Sequence, residues 1–327
     1  MSDATPRVFV TRTLPGETPA ERLRSACTAD VWEGDQPPPP AELTRRAEGC
    51  DGLLTMLTER VDGALLDAAS NVRVVANMAV GYDNIDVAAA TERGVLVTNT
   101  PGVLTETTAD MAFSLLLAAA RRLAEGERAV RTGEWGPWHP TWLLGHEVHG
   151  ATLGVVGPGR IGAAVARRAQ GFGMRVLYHG RSEAPEFPGE RATFDELLER
   201  SDFVSVHVPL SPETERMFDA GVFARMRPHA ILVNTARGGV VDQPALARAL
   251  TEGVIGGAAL DVTTPEPLPL DDSLLEAPNL LIAPHLGSAT GATRTRMAEL
   301  AVDGLLAALA GERPEHLVNP EALERRR

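Results

Sequence analysis

Lysine is missing from all 327 residues, and the 31 basic side chains are every one arginine. That absence excludes Schiff-base chemistry, a lysine-held pyridoxal phosphate and the phosphate-loop lysine of nucleotide hydrolases. Cysteine is nearly missing too, with only Cys27 and Cys50. Two thiols make no disulfide framework and fit a reducing compartment. The longest apolar run, 112–120, is interrupted by Ser114 and falls far short of the roughly 20 residues a bilayer span needs. Residues 1–12 hold no apolar stretch of the signal-peptide kind. The expectation is a cytoplasmic protein with no membrane partner. Positive charge is also short, since 44 acidic residues against 31 arginines leave a net charge of −13. A nucleic-acid groove needs a basic face, so no nucleic-acid partner is expected. The closing Arg325, Arg326 and Arg327 read as a solvated tail.

What is present is a long chain, 44% hydrophobic and 23% charged, enough for two domains with cores of their own. Short β-branched runs recur at 7–12, 52–57, 72–78 and 95–98, then at 152–156, 175–178, 203–208, 230–235, 258–262 and 280–283. Ala-, Leu- and Arg-rich stretches of helical period separate them. That alternation predicts α/β architecture with two doubly wound parallel sheets. One strong helical stripe, 105–122, divides the two series through Ala109, Ala112, Phe113, Leu116 and Ala120. A last helix over 293–309 follows the second sheet and is free to return to the first unit. The four prolines 37–40 read as a rigid surface turn or polyproline segment.

Residues 152–162, TLGVVGPGRIG, form a buried strand running into G-x-G-x-x-G and then a helix from about Arg160. Gly157 allows the tight turn, Gly159 lets backbone approach a pyrophosphate, and Gly162 allows close helix–strand packing. The helix amino terminus supplies N–H groups to the anion. With a strand before and another after, the pattern predicts a dinucleotide site. An acid at the end of the second strand would bond a ribose 2′-hydroxyl and repel a 2′-phosphate. Here Gly180 stands at that place, followed by Arg181 and Ser182. Glycine removes the repulsion, while Arg and Ser can hold phosphate oxygens. The expected cofactor is NADPH, with NADH possible as the second choice.

Three ionisable residues follow strands of the second series: Arg237 after 230–235, Glu266 after 258–262 and His285 after 280–283. Ligands of open parallel sheets bind beyond the carboxyl ends of the strands. A permanently charged fork, an imidazole and a carboxylate there make a set able to bind an anion and exchange a proton.

The chain resembles the D-2-hydroxyacid dehydrogenase family, most closely its glyoxylate/hydroxypyruvate reductase branch. The resemblance runs from about 52 to about 314 and is carried by VGYDNID (80–86), TTADMAFSLLLAAARR (107–122), GPGRIG (157–162), HVPLSPET (207–214), NTARGGVVD (234–242), LDVTTPEPLP (260–269) and PHLGSAT (284–290). It implies a Rossmann-type cofactor domain, 101–287, inserted in a flavodoxin-like substrate domain, 1–100 with 288–327, and an active site in the cleft. It also implies that Arg237, Glu266 and His285 are catalytic. By the same resemblance Val80 and Gly81 bind the substrate carboxylate through their N–H groups, with Leu57 and Ser288 as further substrate contacts. Thr108, Arg160, Ile161, Pro209, Thr214, Thr235, Ala236, Asp261 and Gly287 join the glycines, Arg181 and Ser182 around the cofactor.

The implied activity is reduction of a small 2-oxo acid, glyoxylate or hydroxypyruvate, to a D-2-hydroxy acid by hydride from NADPH. Two alternatives stay open at this point. One is a 2-keto-gluconate or phenylpyruvate type of substrate, and the other is a dinucleotide-sensing, corepressor-like binding protein. His146, Glu147 and His149 lack the spacing of a zinc helix, so no metal is expected. Three of the four tryptophans, Trp135, Trp138 and Trp142, crowd one aperiodic stretch. In the reductase branch a Trp matching Trp138 reaches the partner subunit's active site, so a homodimer is expected.

Overall fold

The computed structural model describes residues 5–325, so Arg326 and Arg327 of the expected tail lie outside the described residues. The chain divides into two compact units. One takes the described residues up to Leu104 and those from Ala289 onward, and the other is Thr105–Ser288.

The first unit is a five-stranded sheet of β1 (Arg7–Val10), β2 (Thr28–Val31), β3 (Gly52–Thr55), β4 (Val74–Asn77) and β5 (Leu96–Thr98). Its order is β2-β1-β3-β4-β5, with every pairing parallel. This is the flavodoxin-like order of doubly wound sheets. Strands β3, β4 and β5 are buried along their whole length, which is why they read as unbroken apolar runs. The helix Gly291–Leu309 packs on these three strands, so the carboxyl end of the chain completes the first unit. The proline run does not stay a surface turn: Pro39 caps and Pro40 opens the helix Pro40–Ala47. Proline is tolerated there because a helix's first N–H groups have no partner anyway.

The second unit has β6 (Thr152–Val156), β7 (Arg175–His179), β8 (Glu190–Arg191), β9 (Phe203–Val206), β10 (Ile231–Asn234), β11 (Gly257–Leu260) and β12 (Leu280–Ile282). The order β12-β11-β10-β9-β6-β7-β8 is that of a Rossmann sheet, with its switch point between β6 and β9. Alternate strand residues feed two cores. Val156, Leu177, Val204 and Leu232 enter one, and Val155, Val176, Phe203 and Val233 enter the other, as the two-residue period of a strand requires. The helix Thr105–Ala120 lies against the second core. It stops short of the expected end because Arg122 takes a left-handed φ of 52°. A separate helix, Leu123–Thr132, starts there.

Candidate active site

In the second unit β6 runs into Gly157, whose φ is 102°. A Cβ on Gly157 would stand 2.6 Å from the carbonyl oxygen of His207, and one on Gly162 would stand 2.3 Å from that of Gly157. The turn is thus pressed into the switch point between β6 and β9. Gly159 faces open space, with nothing within 4 Å of a Cβ position. It also caps the helix Arg160–Gly171 without any side-chain hydrogen bond. The first-turn N–H groups of Arg160 and Ile161 are therefore offered to an anion rather than to a capping side chain. Just past β10, the Thr235 hydroxyl is buried without a hydrogen-bond partner. An unpartnered buried hydroxyl costs about 1–3 kcal/mol, a cost a bound polar ligand removes. These features fit a dinucleotide.

Beyond β7, Gly180 is half-buried while Arg181 and Ser182 are exposed. The Arg181 charge reaches Glu213, whose carboxyl is held below its usual range chiefly by the Ser211 hydroxyl and only secondarily by Arg181. The Thr214 hydroxyl donates to the Pro209 carbonyl at 2.6 Å and accepts from the Ser211 amide at 2.9 Å. Pro209, Thr214 and Arg181 therefore border one loop. His207 opens that loop. Desolvation pushes its imidazole down to about 4, so it is neutral near pH 7, with Ser205 Oγ 2.8 Å from Nε2.

A histidine–carboxylate pair stands beyond the ends of β11 and β12. His285 Nδ1 lies 2.8 Å from Glu266 Oε2, and both side chains are about 30% exposed, 28% and 32%. A carboxylate on Nδ1 fixes the ring and leaves Nε2 as the nitrogen able to exchange a proton. The other Glu266 oxygen accepts from the Thr263 amide at 3.1 Å, so the carboxylate is held at both ends. His285 has a left-handed φ of 56°, an uncommon conformation for a residue with a Cβ. Asp261 holds it there. The His285 amide donates to the Asp261 carbonyl at 2.9 Å. The Leu286 and Gly287 amides donate to the two carboxylate oxygens, each at 2.7 Å. Burial raises the Asp261 carboxyl above its usual range, against the opposing pull of those two amides. A Cβ on Gly287 would meet Asp261 Oδ2 at 3.2 Å and Thr108 at 3.4 Å, so Thr108, Asp261 and Gly287 share one spot. Ser288, half-buried, ends the segment.

Arg237 leaves β10 in extended conformation, φ −149°. Its Nη1 donates to the Ala236 carbonyl at 2.9 Å. The buried Asn234 amide clamps the same turn, accepting from the Ala236 amide at 3.0 Å and donating to the Arg237 carbonyl at 2.9 Å. A Cβ on Gly238 would fall 2.0 Å from the Thr263 carbonyl oxygen, so the Arg237 and Glu266 loops are in backbone contact. Gln243 secures the latter loop, accepting from the Thr264 amide at 3.0 Å. Neither Asn234 nor Gln243 is among the sequence-predicted residues: Asn234 acts within its own turn, while Gln243 acts on a loop 21 residues away, a separation that leaves no spacing signature.

In the first unit, Leu57, Val80 and Gly81 lie on loops after β3 and β4 and are all half-buried. Beneath them is a polar network that the residue pattern did not disclose. Glu59, 3% exposed, accepts from the Thr11 hydroxyl at 2.6 Å, the Met56 amide at 2.7 Å and the Thr58 hydroxyl at 2.5 Å. Asn84 donates to the Met56 and Glu59 carbonyls at 3.0 and 2.8 Å. Asn77 donates to the Gly81 carbonyl at 3.0 Å. Both loops thus hang on three buried or half-buried polar side chains.

Trp135, Trp138 and Trp142 are 66%, 86% and 42% exposed. Cys27 and Cys50 are buried and unpaired, with thiols pushed up chiefly by desolvation, which makes them poor nucleophiles. Among the described residues, no helix is long and apolar enough to cross a membrane.

Residues 113–287 match the family model for the D-isomer specific 2-hydroxyacid dehydrogenase NAD binding domain. The chain is 52% identical to a glyoxylate reductase of Korarchaeum cryptofilum over 98% of this chain and 97% of that protein. Its fold is similar to a crystal structure of a Thermus thermophilus protein, with TM-score 0.91, 50% identity and coverage of 95% and 99%. It is also similar to the NADPH-dependent glyoxylate/hydroxypyruvate reductase of Sinorhizobium meliloti in complex with NADP and malonate, with TM-score 0.87, 35% identity and 99% of each chain covered. The chain belongs to the D-isomer specific 2-hydroxyacid dehydrogenase family, in its glyoxylate reductase branch, and is an NAD(P)-dependent dehydrogenase.

Proposed function

We propose that the protein reduces glyoxylate and hydroxypyruvate to D-2-hydroxy acids, with NADPH preferred over NADH. The observation that carries the reading is the His285–Glu266 pair at 2.8 Å, with the Arg237 loop packed against the Glu266 loop. His285 Nε2 holds the proton that passes to the keto oxygen. Glu266 keeps the ring oriented through Nδ1. Arg237 binds the substrate carboxylate or keto oxygen, its planar fork suited to either. Val80 and Gly81 offer backbone N–H groups to the carboxylate, with Leu57 and Ser288 as further contacts.

The dinucleotide is held by Gly157, Gly159 and Gly162, by the amides of Arg160 and Ile161, and by Thr108, Pro209, Thr214, Thr235, Ala236, Asp261 and Gly287. When bound, it supplies the hydride. The proposed preference for NADPH rests on Gly180, Arg181 and Ser182, a stretch with no acid and one cation just past the second strand. The Sinorhizobium meliloti relative, NADPH-dependent and solved with NADP, supports it. The reduced, buried thiols favour a cytoplasmic setting.

The protein works as a homodimer in this reading, with Trp138 of one subunit bordering the other subunit's site. Trp138 is 86% exposed, and Leu123, Val130, Trp135 and Leu144 are each more than half exposed, apolar side chains that a second copy would cover. One assay tests the whole reading: oxidation of NADPH and NADH against a panel of 2-oxo acids, with sedimentation at assay concentration. Glyoxylate and hydroxypyruvate should give the highest kcat/KM, and NADPH should exceed NADH. A bulky aromatic 2-oxo acid as best substrate, or NADH as the better donor, overturns the corresponding part.

A further inference from the structure

The residue that ends the second strand of a dinucleotide fold selects between NAD and NADP. In this chain that residue is Gly180, one step beyond the last paired position, where Val156 on β6 faces His179 on β7. The Gly157 amide donates to the His179 carbonyl at 2.9 Å, which carries the pairing on into the glycine loop. Residues 158 and 180 are therefore neighbours across the two strand ends. A Cβ on Gly180 would stand 2.5 Å from Cδ and 2.7 Å from Cγ of Pro158. Real Cβ atoms do not make contacts that short, so either Gly180 stays bare or Pro158 moves.

A flexible side chain would swing aside at little cost. The proline ring cannot. Its Cδ is bonded to the backbone nitrogen between Gly157 and Gly159, and φ is fixed by the ring. Displacing the ring displaces that stretch of backbone, and Gly157 is already pressed against the His207 carbonyl with 2.6 Å left for a Cβ. The loop has no room to retreat in that direction.

We propose that Pro158 is a specificity-determining residue: by occupying the space of any side chain at position 180, it bars the acid that NADH recognition needs. The inference rests on the cofactor reading above only for which dinucleotide benefits. The steric coupling itself stands on the distances. Gly180 is thus not an independently tunable site, and an acid introduced there works only if the ring is removed.

The test is a double-mutant cycle on the full-length protein, read by melting temperature without cofactor and by NADPH and NADH dissociation constants from titration. Gly180→Ala adds only the clashing atom. In the Pro158 background it should weaken NADPH binding about 10-fold and lower the melting temperature, while in the Pro158→Ala background it should change binding less than about 2-fold. Gly180→Asp alone should bind both dinucleotides worse than wild type. Pro158→Ala with Gly180→Asp should bind NADH at least about 10-fold tighter than Gly180→Asp alone. Equal effects of Gly180→Ala in both backgrounds, on binding and on melting, overturn the proposal. So does Gly180→Asp gaining NADH affinity with Pro158 in place. A wild-type preference for NADH overturns the cofactor reading instead, since the cycle compares variants with one another.

Discussion

Both units carry their candidate site residues on loops that leave the carboxyl ends of parallel strands, yet they fix those loops by different means. In the second unit one buried residue, Asp261, gathers three consecutive amides, that of His285 on its backbone carbonyl and those of Leu286 and Gly287 on its carboxylate, in a loop whose first residue, His285, has a left-handed backbone. In the first unit no residue of 56–59 or 79–82 has positive φ. There the loops hang on Glu59, Asn77 and Asn84, which accept from or donate to backbone at both ends. The contrast follows from what each loop does in the proposed reaction. A proton donor must be aimed, and aiming one side chain from a strained backbone needs a strong local anchor. A carboxylate cradle made of backbone N–H groups needs only that two loops keep their shape.

The largest effect that tests this contrast is at the aimed group itself. His285→Ala should cut kcat on glyoxylate by about 10³-fold, the scale of a lost general acid, with the NADPH dissociation constant within about 2-fold of wild type. Near-normal turnover would remove His285 from the chemistry. Asp261→Asn follows. An asparagine keeps one acceptor oxygen but turns an NH₂ toward either the Leu286 or the Gly287 amide, leaving one donor facing another. An unsatisfied buried donor costs about 1–3 kcal/mol, so the His285 segment should relax and kcat/KM should fall about 10- to 100-fold. If Asp261→Asn melts earlier but keeps kcat/KM, the residue merely stabilises the fold and the anchor argument fails.

Much of the molecule is legible in the sequence, and each exception has its own physical cause. Strands buried on both faces announce themselves as apolar runs, so β3, β4, β9 and β10 were legible. Strand β2 was not, because TADV alternates exposed and half-buried residues at a sheet edge, and β8 has only Glu190 and Arg191. The helical stripe ran on to Arg122 because period says nothing of one left-handed residue. The glycine loop was legible because its logic is local. Glu59 and Asp261 were not legible as anchors. Thr11 and Glu59 are 48 residues apart, and Leu286 and Asp261 are 25 apart, distances at which sequence spacing carries no contact information.

A smaller effect distinguishes the units by pH. Desolvation depresses His207 from 6.5 to about 4 in the folded protein, so the folded state favours the neutral ring. The stability this contributes is fully present above pH 6.5 and is lost as pH falls toward 4, because the unfolded chain takes up the proton first. The loss is at most about 1.4 kcal/mol per pH unit. Urea unfolding compared near pH 7 and about pH 5 should show wild type losing more stability than His207→Gln. Parallel losses in the two proteins would mean that the ring is solvated and sets no such window.

The smallest effect belongs to the first unit's network. Glu59→Gln keeps the length of the side chain and one carbonyl oxygen, which can still accept from the Met56 amide now held at 2.7 Å. The Thr11 hydroxyl, 2.6 Å from that same oxygen, goes on donating to it, and the Thr58 hydroxyl, 2.5 Å from the other, can turn to accept from the new NH₂, since a hydroxyl both donates and accepts. What is lost is charge assistance, about 1 kcal/mol, spread over the two loops that carry Leu57, Val80 and Gly81. In the proposed reading those loops bind the substrate carboxylate and touch no transferring proton. KM for glyoxylate should then rise about 5-fold while kcat stays within about 2-fold, the mark of lost uniform binding. KM for NADPH should not move, because the proposed dinucleotide contacts all lie in the second unit. A fall in kcat at unchanged KM would place Glu59 with the proton-transfer groups, and the division between an aimed side chain and a shaped cradle would no longer hold.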